Sequence, residues 1–328
     1  MNTRRWSIVS TPLLMGALAG LLACAPLAQA AEWAPKKPVR LIVGFPPGGA
    51  TDLVARIIQP KLTQSLGEQV VVDNRPGANG TISLHILARA EPDGQTVAFG
   101  HIGGLVISPA VQKVPYDPIK SFTPIGLMVT LQNIIILHPS VPVKNLNEFI
   151  AMAKAKPGQL NYASSGVGSP GHLSAALLEE MANIRMNHIP YKGGGPAITD
   201  LIAGHVPCFF AVISTAVPHV QAGRARAIAL TGEKRSPALP DVPTIGETIK
   251  GYVATNWYGL VAPAGTPKAI VDRLSKDLMA ALSHPDVIKQ LNTRGIDSTP
   301  TSPQAYAAYI RSETRKWVPI IRRANIKK

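Results

Sequence analysis

Short apolar runs alternate along this chain with segments whose apolar positions recur every three to four residues, the signature of strands followed by amphipathic helices. Val39 to Phe45 reads as a strand. Leu53, Val54, Ile57, Ile58 and Leu62 then share one face of a helix. A second strand, Gln69 to Val72, ends in the turn Asp73-Asn74-Arg75-Pro76-Gly77, and a helix from about Thr81 to Ala90 leads to a third strand, Thr96 to Gly100. This β-α-β order calls for a parallel sheet with right-handed crossovers.

Phe122 to His138 is a long apolar stretch interrupted by Pro124 and Gly126, which predicts two strands, one of them crossing between lobes. The βα pattern restarts with a helix from Leu146 to Ala155 and a short strand from Gln159 to Ala163. Leu173, Leu177, Leu178 and Met181 line one face of the next helix, and a further helix spans Ala197 to Ala203. Val206 to Ile213 and Ala225 to Leu230 read as strands, and Ala238 to Pro243 as a surface loop. Trp257 to Val261 is the last predicted strand, and helices begin near Pro267, Pro285 and Pro303, where proline suits a helix start. The chain has neither an internal repeat nor a low-complexity segment.

The amino terminus changes this picture. Arg4 and Arg5 precede a small, apolar stretch from Pro12 to Leu27, and Ala28-Gln29-Ala30 fits a small-x-small cleavage site. The apolar core falls short of the roughly 20 residues a membrane span needs, so residues 1–30 are expected to be a cleaved signal peptide. Leu21-Leu22-Ala23-Cys24 loosely matches a lipoprotein box and Thr3-Arg4-Arg5-Trp6 a twin-arginine signal. Removal of the signal leaves Cys208 without an internal disulfide partner, and its apolar neighbours mark it as a buried thiol. The net charge is +14, or +12 after Arg4 and Arg5 are lost. With aromatics at 5 % and the charge scattered, this balance does not point to nucleic acid.

Two glycine-rich loops carry the candidate chemistry. Gly44-Phe45-Pro46-Pro47-Gly48-Gly49-Ala50-Thr51-Asp52 joins the first strand to its helix, and Ser164-Ser165-Gly166-Val167-Gly168-Ser169-Pro170-Gly171 opens a helix more than a hundred residues later. Helix N-termini leave backbone N–H groups unpaired and carry partial positive charge, which suits them to an anion. Two such ends suggest two lobes that grip one small anion. Alternatives fare worse: GxGxxG is absent from the first loop, and no Walker-type lysine follows either loop. A serine hydrolase needs Gly-x-Ser-x-Gly, whereas Ser165-Gly166-Val167-Gly168-Ser169 has the order reversed. The eight histidines form neither HExxH nor a His-Cys pairing, so no metal site and no cofactor are expected.

With these residues in view, the chain resembles the Bug-type periplasmic solute receptors of tripartite tricarboxylate transporters. The resemblance rests on Val43-Gly44-Phe45-Pro46-Pro47-Gly48-Gly49 with Asp52 and Arg56, on Asp73-Asn74-Arg75-Pro76-Gly77-Ala78, and on Val114-Pro115-Tyr116-Asp117-Pro118. It continues through Leu160 to Gly168, Pro190-Tyr191-Lys192-Gly193, Lys234 to Thr244 and Ala262-Pro263-Ala264-Gly265-Thr266-Pro267. The chain departs from that family's pattern at His101-Ile102-Gly103-Gly104 and Ser108-Pro109, and at Phe210-Ala211-Val212-Ile213-Ser214.

The resemblance implies an α/β, type II periplasmic-binding-protein fold: two α/β lobes with a hinge and a ligand cleft. Lobe 1 is expected at 31–132 plus 255–328, and lobe 2 at 133–254. It further implies a monomeric, non-enzymatic periplasmic receptor that delivers a small carboxylate to a tripartite tricarboxylate-type membrane permease. A receptor signalling to a membrane sensor would share the binding chemistry. The expected ligand contacts are Phe45, Pro47, Gly48 and Gly49 in the first loop, His101 after the third strand, and Ser164, Ser165, Gly168 and Ser169 in the second loop. In this scheme the Gly48 and Gly49 amides hold one end of the anion. The serine hydroxyls and the amides near Gly168 hold the other.

Overall fold

Three parallel strands, β1 (Val39–Val43), β2 (Val70–Asn74) and β3 (Thr96–His101), lie in the order β2-β1-β3 at one side of the sheet. The computed structural model describes residues 33–323 and Ile326, with 1–3, 6 and 7 at the amino terminus. The rest of the expected signal segment, Cys24 included, lies outside the described residues. β1 reads Val-Arg-Leu-Ile-Val and buries all but its arginine, as an interior parallel strand covered on both faces should. Helix α1 (Ala50–Leu66) crosses from β1 to β2, and α2 (Thr81–Ala88) from β2 to β3. After β3 the chain makes a fully buried π-helical segment, Gly103–Ile107, that runs into the short helix α3 (Ser108–Val111).

The apolar stretch predicted as two strands is one, β4 (Phe122–Leu137). Its register against the neighbouring strand shifts between Pro124 and Gly126 and again between Leu127 and Val129. These bulges absorb the proline and glycine that the sequence pattern reads as a break. β4 is the spine of the fold. Its residues Phe122 to Gln132 pair with β9 (Thr255–Pro263), and Asn133 to Leu137 pair instead with β7 (Cys208–Val212). The strand β10 (Ile296–Ser298) and the strand β8 (Arg226–Leu230) also pair with β4, in its first and second parts respectively.

The second half of the sheet continues through β7 to β5 (Asn161–Ser164) and β6 (Asn187–Pro190), again parallel. Its helices are α4 (Leu146–Ala155), α5 (Pro170–Ala182), α6 (Gly194–Ile202), α7 (Ile213–Gln221) and α8 (Ile245–Thr248). Helices α9 (Lys268–Leu282), α10 (Pro285–Asn292) and α11 (Pro303–Arg323) follow β9. Among these, β6, β10, α3, α7 and α8 lie where no element is predicted; all but α7 are only three or four residues long.

Two chain segments meet where β4 changes partners. Thr231 donates its N–H to Asn133 O and accepts the Asn133 N–H on Oγ1, and that hydroxyl donates to Ala254 O at 2.7 Å. Gln132 is held from both ends, by the Gly232 N–H and by Lys234 O. The Trp257 and Trp317 indoles both donate to Glu313, which ties α11 to the first residues of β9. Cys208 is buried in this core, and burial pushes its thiol up, so the cysteine is inert packing.

Candidate ligand cleft between two glycine-rich loops

The loop after β1 is braced from beneath. Asp52, in the first turn of α1, is 3 % exposed and accepts three bonds: from the Gly48 N–H (2.9 Å), from Arg56 Nε (2.9 Å) and from Asn74 Nδ2 (3.0 Å). Burial pushes the Asp52 carboxyl up, but those bonds outweigh it and hold it below the usual carboxylate range. Asn74 also donates to Phe45 O, and the Gly49 N–H turns back to Pro46 O at 3.4 Å. Gly48 sits at φ +81°, a conformation that glycine adopts without cost. The two amides expected to hold an anion therefore already have partners inside the loop.

His101 is fully buried at the end of β3. Its Nδ1 accepts the Gly104 N–H, its Nε2 has no partner, and its ring meets Phe45 edge-on with centroids 5.0 Å apart. Gly80 packs directly over that ring, with no room for a side chain. Burial lowers its pKa to about 4, so the imidazole is neutral and serves as a platform under Phe45.

The second loop is braced in the same manner. Ser164 is buried; its Oγ lies 2.7 Å from His188 Nε2, donates to Gly166 O and accepts the Gly166 N–H. The Gly168 N–H donates to His172 Nδ1, and the His172 ring stacks on His188 with centroids 3.9 Å apart. Ser169 is the N-cap of α5, its hydroxyl accepting from the His172 N–H. Burial lowers the pKa of His172 to about 3, with the His188 charge contributing, and that of His188 to about 4. The Ser164–His188 pair has the atoms of a nucleophile and base, but its hydroxyl is sealed from solvent and already triply engaged.

A cavity of about 600 Å³ opens between these loops. Phe45 and Ser165, of the expected contacts, line it. Pro47, Gly48, Gly49, His101, Ser164, Gly168 and Ser169 are not among its lining residues; His101, Ser164 and Ser169 are buried, whereas Pro47 and Gly48 are exposed. Much of the remaining wall comes from segments outside the expected contacts. Pro76 to Asn79 approach from the first half, Ser108, Val111 and Gln112 from α3, and Pro190 to Gly193 from the end of β6. Tyr191 is pinned by its hydroxyl to Asp200 at 2.7 Å.

The Gly77–Gly80 segment is the most strained backbone at the cavity. Gly77, Ala78, Asn79 and Gly80 all have positive φ (133°, 47°, 54° and 78°), two of them without being glycine. Such strain persists only where surrounding contacts over-determine it. Here Asn79 Nδ2 donates to Gly168 O at 2.8 Å, tying the turn between β2 and α2 to the second glycine-rich loop. The sequence signal was Gly77-Ala78-Asn79-Gly80 itself, since Gly and Asn are the residues that tolerate left-handed backbone.

Residues 54–326 match the family model of the tripartite tricarboxylate transporter family receptor. Among solved structures, the periplasmic binding protein BugD is 35 % identical, covering 90 % of this chain and 99 % of that one with a TM-score of 0.83. Rpa4515 of Rhodopseudomonas palustris, solved with adipate, is 32 % identical over 89 % of this chain and 99 % of its own, with a TM-score of 0.85. MatC of the same organism, with bound malate, is 33 % identical over 88 % and 99 %, with a TM-score of 0.81. No helix among the described residues is long and apolar enough to cross a membrane.

Proposed function

This chain belongs to the tripartite tricarboxylate transporter receptor family, and from that premise we propose that it is a periplasmic receptor that captures one small carboxylate in the 600 Å³ cavity and delivers it to a tripartite tricarboxylate-type membrane permease. The observation that carries this reading is the lining itself. Loops from the C-terminal ends of β1 and β5 meet there, and the only ionised side chain among the lining residues is a cation, Lys192. The carboxylates bound by the neighbours Rpa4515 and MatC support the ligand class.

In this reading Phe45 and Tyr191 supply apolar walls, while Ser165 Oγ and the N–H groups that open the Ala78–Gly80 turn hold carboxylate oxygens. Gly48, Gly49, Ser164, Gly168, Ser169 and His101 act one step back, fixing the loops. Charge-assisted bonds contribute about 1.5–3 kcal/mol each. Three or four of them give a gross of about 4.5–12 kcal/mol, the scale of the roughly −8 kcal/mol of micromolar binding before ordering costs.

The lobes are proposed as 31–132 with 255–328, and 133–254. The change of partners along β4 at Gln132/Asn133 and the start of β9 at Thr255 support these limits. A ligand that touches both lobes only when they are closed shifts the population toward closure. The chain is proposed to act as a monomer and to leave its ligand chemically unchanged.

Thermal-shift and calorimetric titration with mono- and dicarboxylates tests the binding claim, and mass spectrometry of recovered ligand tests the absence of turnover. Failure of every carboxylate to bind would overturn the first, and product formation the second. Reconstituted uptake with the permease separates transport from sensing.

A further inference from the structure

We infer that the outward face of α11 is a docking surface for anionic phospholipid headgroups, holding the receptor against a membrane. The inference goes beyond the carboxylate reading and does not depend on it.

Helix α11 (Pro303–Arg323) turns Tyr306, Ile310, Glu313, Trp317, Ile320 and Ile321 into the core. Its exposed side carries Arg311, Arg315 and Arg322. At about 100° per residue these three positions fall within roughly 40° of arc, and at about 1.5 Å per residue they span roughly 16 Å of one stripe. None of the three has an ion pair or a hydrogen bond among the described residues. The neighbouring cations are already engaged, Arg323 with Glu180, and Lys316 with Val253 O and the Trp317 ring. The sole acid of α11, Glu313, is buried and accepts from both indoles. The elements packed most closely against α11 are β4, the π-helical segment and α3, and none of them contains an acidic residue.

Folding alone does not ask for this stripe. The helix dipole favours Arg322 in the last turn. Arg311 and Arg315 stand mid-helix, four residues apart, and like charges at that spacing repel.

The chemistry of the stripe selects its occupant. No large apolar side chain of α11 is exposed, so the helix lacks the apolar centre of a protein–protein interface. It also lacks the apolar face with which an interfacial helix enters the acyl region. What remains is an array of guanidinium groups, whose planar fork matches phosphate oxygens. A layer of anionic headgroups requires nothing more. A receptor held there meets a membrane permease by searching a surface rather than a volume.

The test mixes residues 31–328 at low salt with vesicles of phosphatidylcholine alone or of phosphatidylcholine with about a third phosphatidylglycerol. Co-sedimentation is expected with the anionic vesicles only, and is expected to fade as salt is raised. Each arginine near such a surface is worth roughly fivefold, so Arg311→Gln, Arg315→Gln and Arg322→Gln together should weaken binding by about 100-fold. A control with Lys37→Gln, Lys154→Gln and Lys289→Gln removes the same charge from exposed positions elsewhere and should weaken it by less than about fivefold. Both variants should keep the wild-type unfolding midpoint and carboxylate affinity, since none of these residues lines the cavity. Equal weakening in the two variants would reveal a net-charge effect and overturn the inference. So would wild-type protein that ignores the anionic vesicles. Arginine-dependent attachment only to permease reconstituted in phosphatidylcholine would assign the stripe to an acidic protein surface and overturn the lipid reading.

Discussion

Lowering the pH from 7 to 5 is expected to destabilise the folded protein by about 3–5 kcal/mol, through three imidazoles that the fold keeps neutral. His101 and His188 are held to pKa values of about 4 and His172 to about 3, against 6.5 for an unperturbed histidine. Each is harder to protonate folded than unfolded. Between pH 6.5 and the folded value the unfolded chain therefore takes up more protons, and stability falls as the pH drops through that window. From pH 7 to 5 each ring contributes about 2 kcal/mol at most. The shares of His172 and His188 are trimmed because both rings keep some contact with solvent. Glu179 acts in the opposite direction, since burial raises its pKa and the folded state gains a proton as the pH falls. Asp52 and Asp73, both lowered, are lost only below the ordinary carboxylate range and stay out of this window. Urea unfolding at the two pH values measures the difference, and His188→Gln should remove about a third of it. Stability at pH 5 within about 1 kcal/mol of that at pH 7 would refute the burial argument for these rings.

Three further outcomes follow from the same geometry. Ser165→Ala should weaken carboxylate binding by about 1.5–3 kcal/mol with stability unchanged, whereas Ser169→Ala should cost about 1 kcal/mol of stability through its lost cap and leave affinity nearly intact; calorimetry and urea unfolding separate the two, and the reverse pattern would return Ser169 to the ligand. Asn79→Gly keeps the left-handed backbone at φ 54° and deletes only the bond to Gly168, so fluorescence transfer between labels on the two lobes should show a more open protein and ligand release should quicken by roughly fivefold. Gly48→Val points into open space but forces a branched side chain to φ +81°; a stability loss of roughly 1–2 kcal/mol with unchanged affinity is expected, and abolished binding would show that this glycine touches the ligand after all.

The sequence by itself determined what depends on neighbours along the chain. Buried runs such as Val39 to Val43 admit little but an interior strand, and the face Val54, Ile57, Ile58 and Leu62 admits only a helix packed against it. The positions of the glycine loops between strand and helix follow from the same local rules, and with them the two-lobed α/β architecture. The buried Cys208 is legible for that reason. Tertiary structure alone decided which polar groups remain free. Asp52 meets Asn74 from 22 residues away and takes the Gly48 amide; Ser164 meets His188 from 24 away; Asn79 meets Gly168 from 89 away. It also decided that β4 runs unbroken through Pro124 and Gly126, because bulges against β9 supply what the pleat alone cannot. A glycine-rich loop announces a place where backbone is exposed. Whether its donors face a ligand or a side chain is settled by partners that folding brings from elsewhere, and no local pattern encodes them.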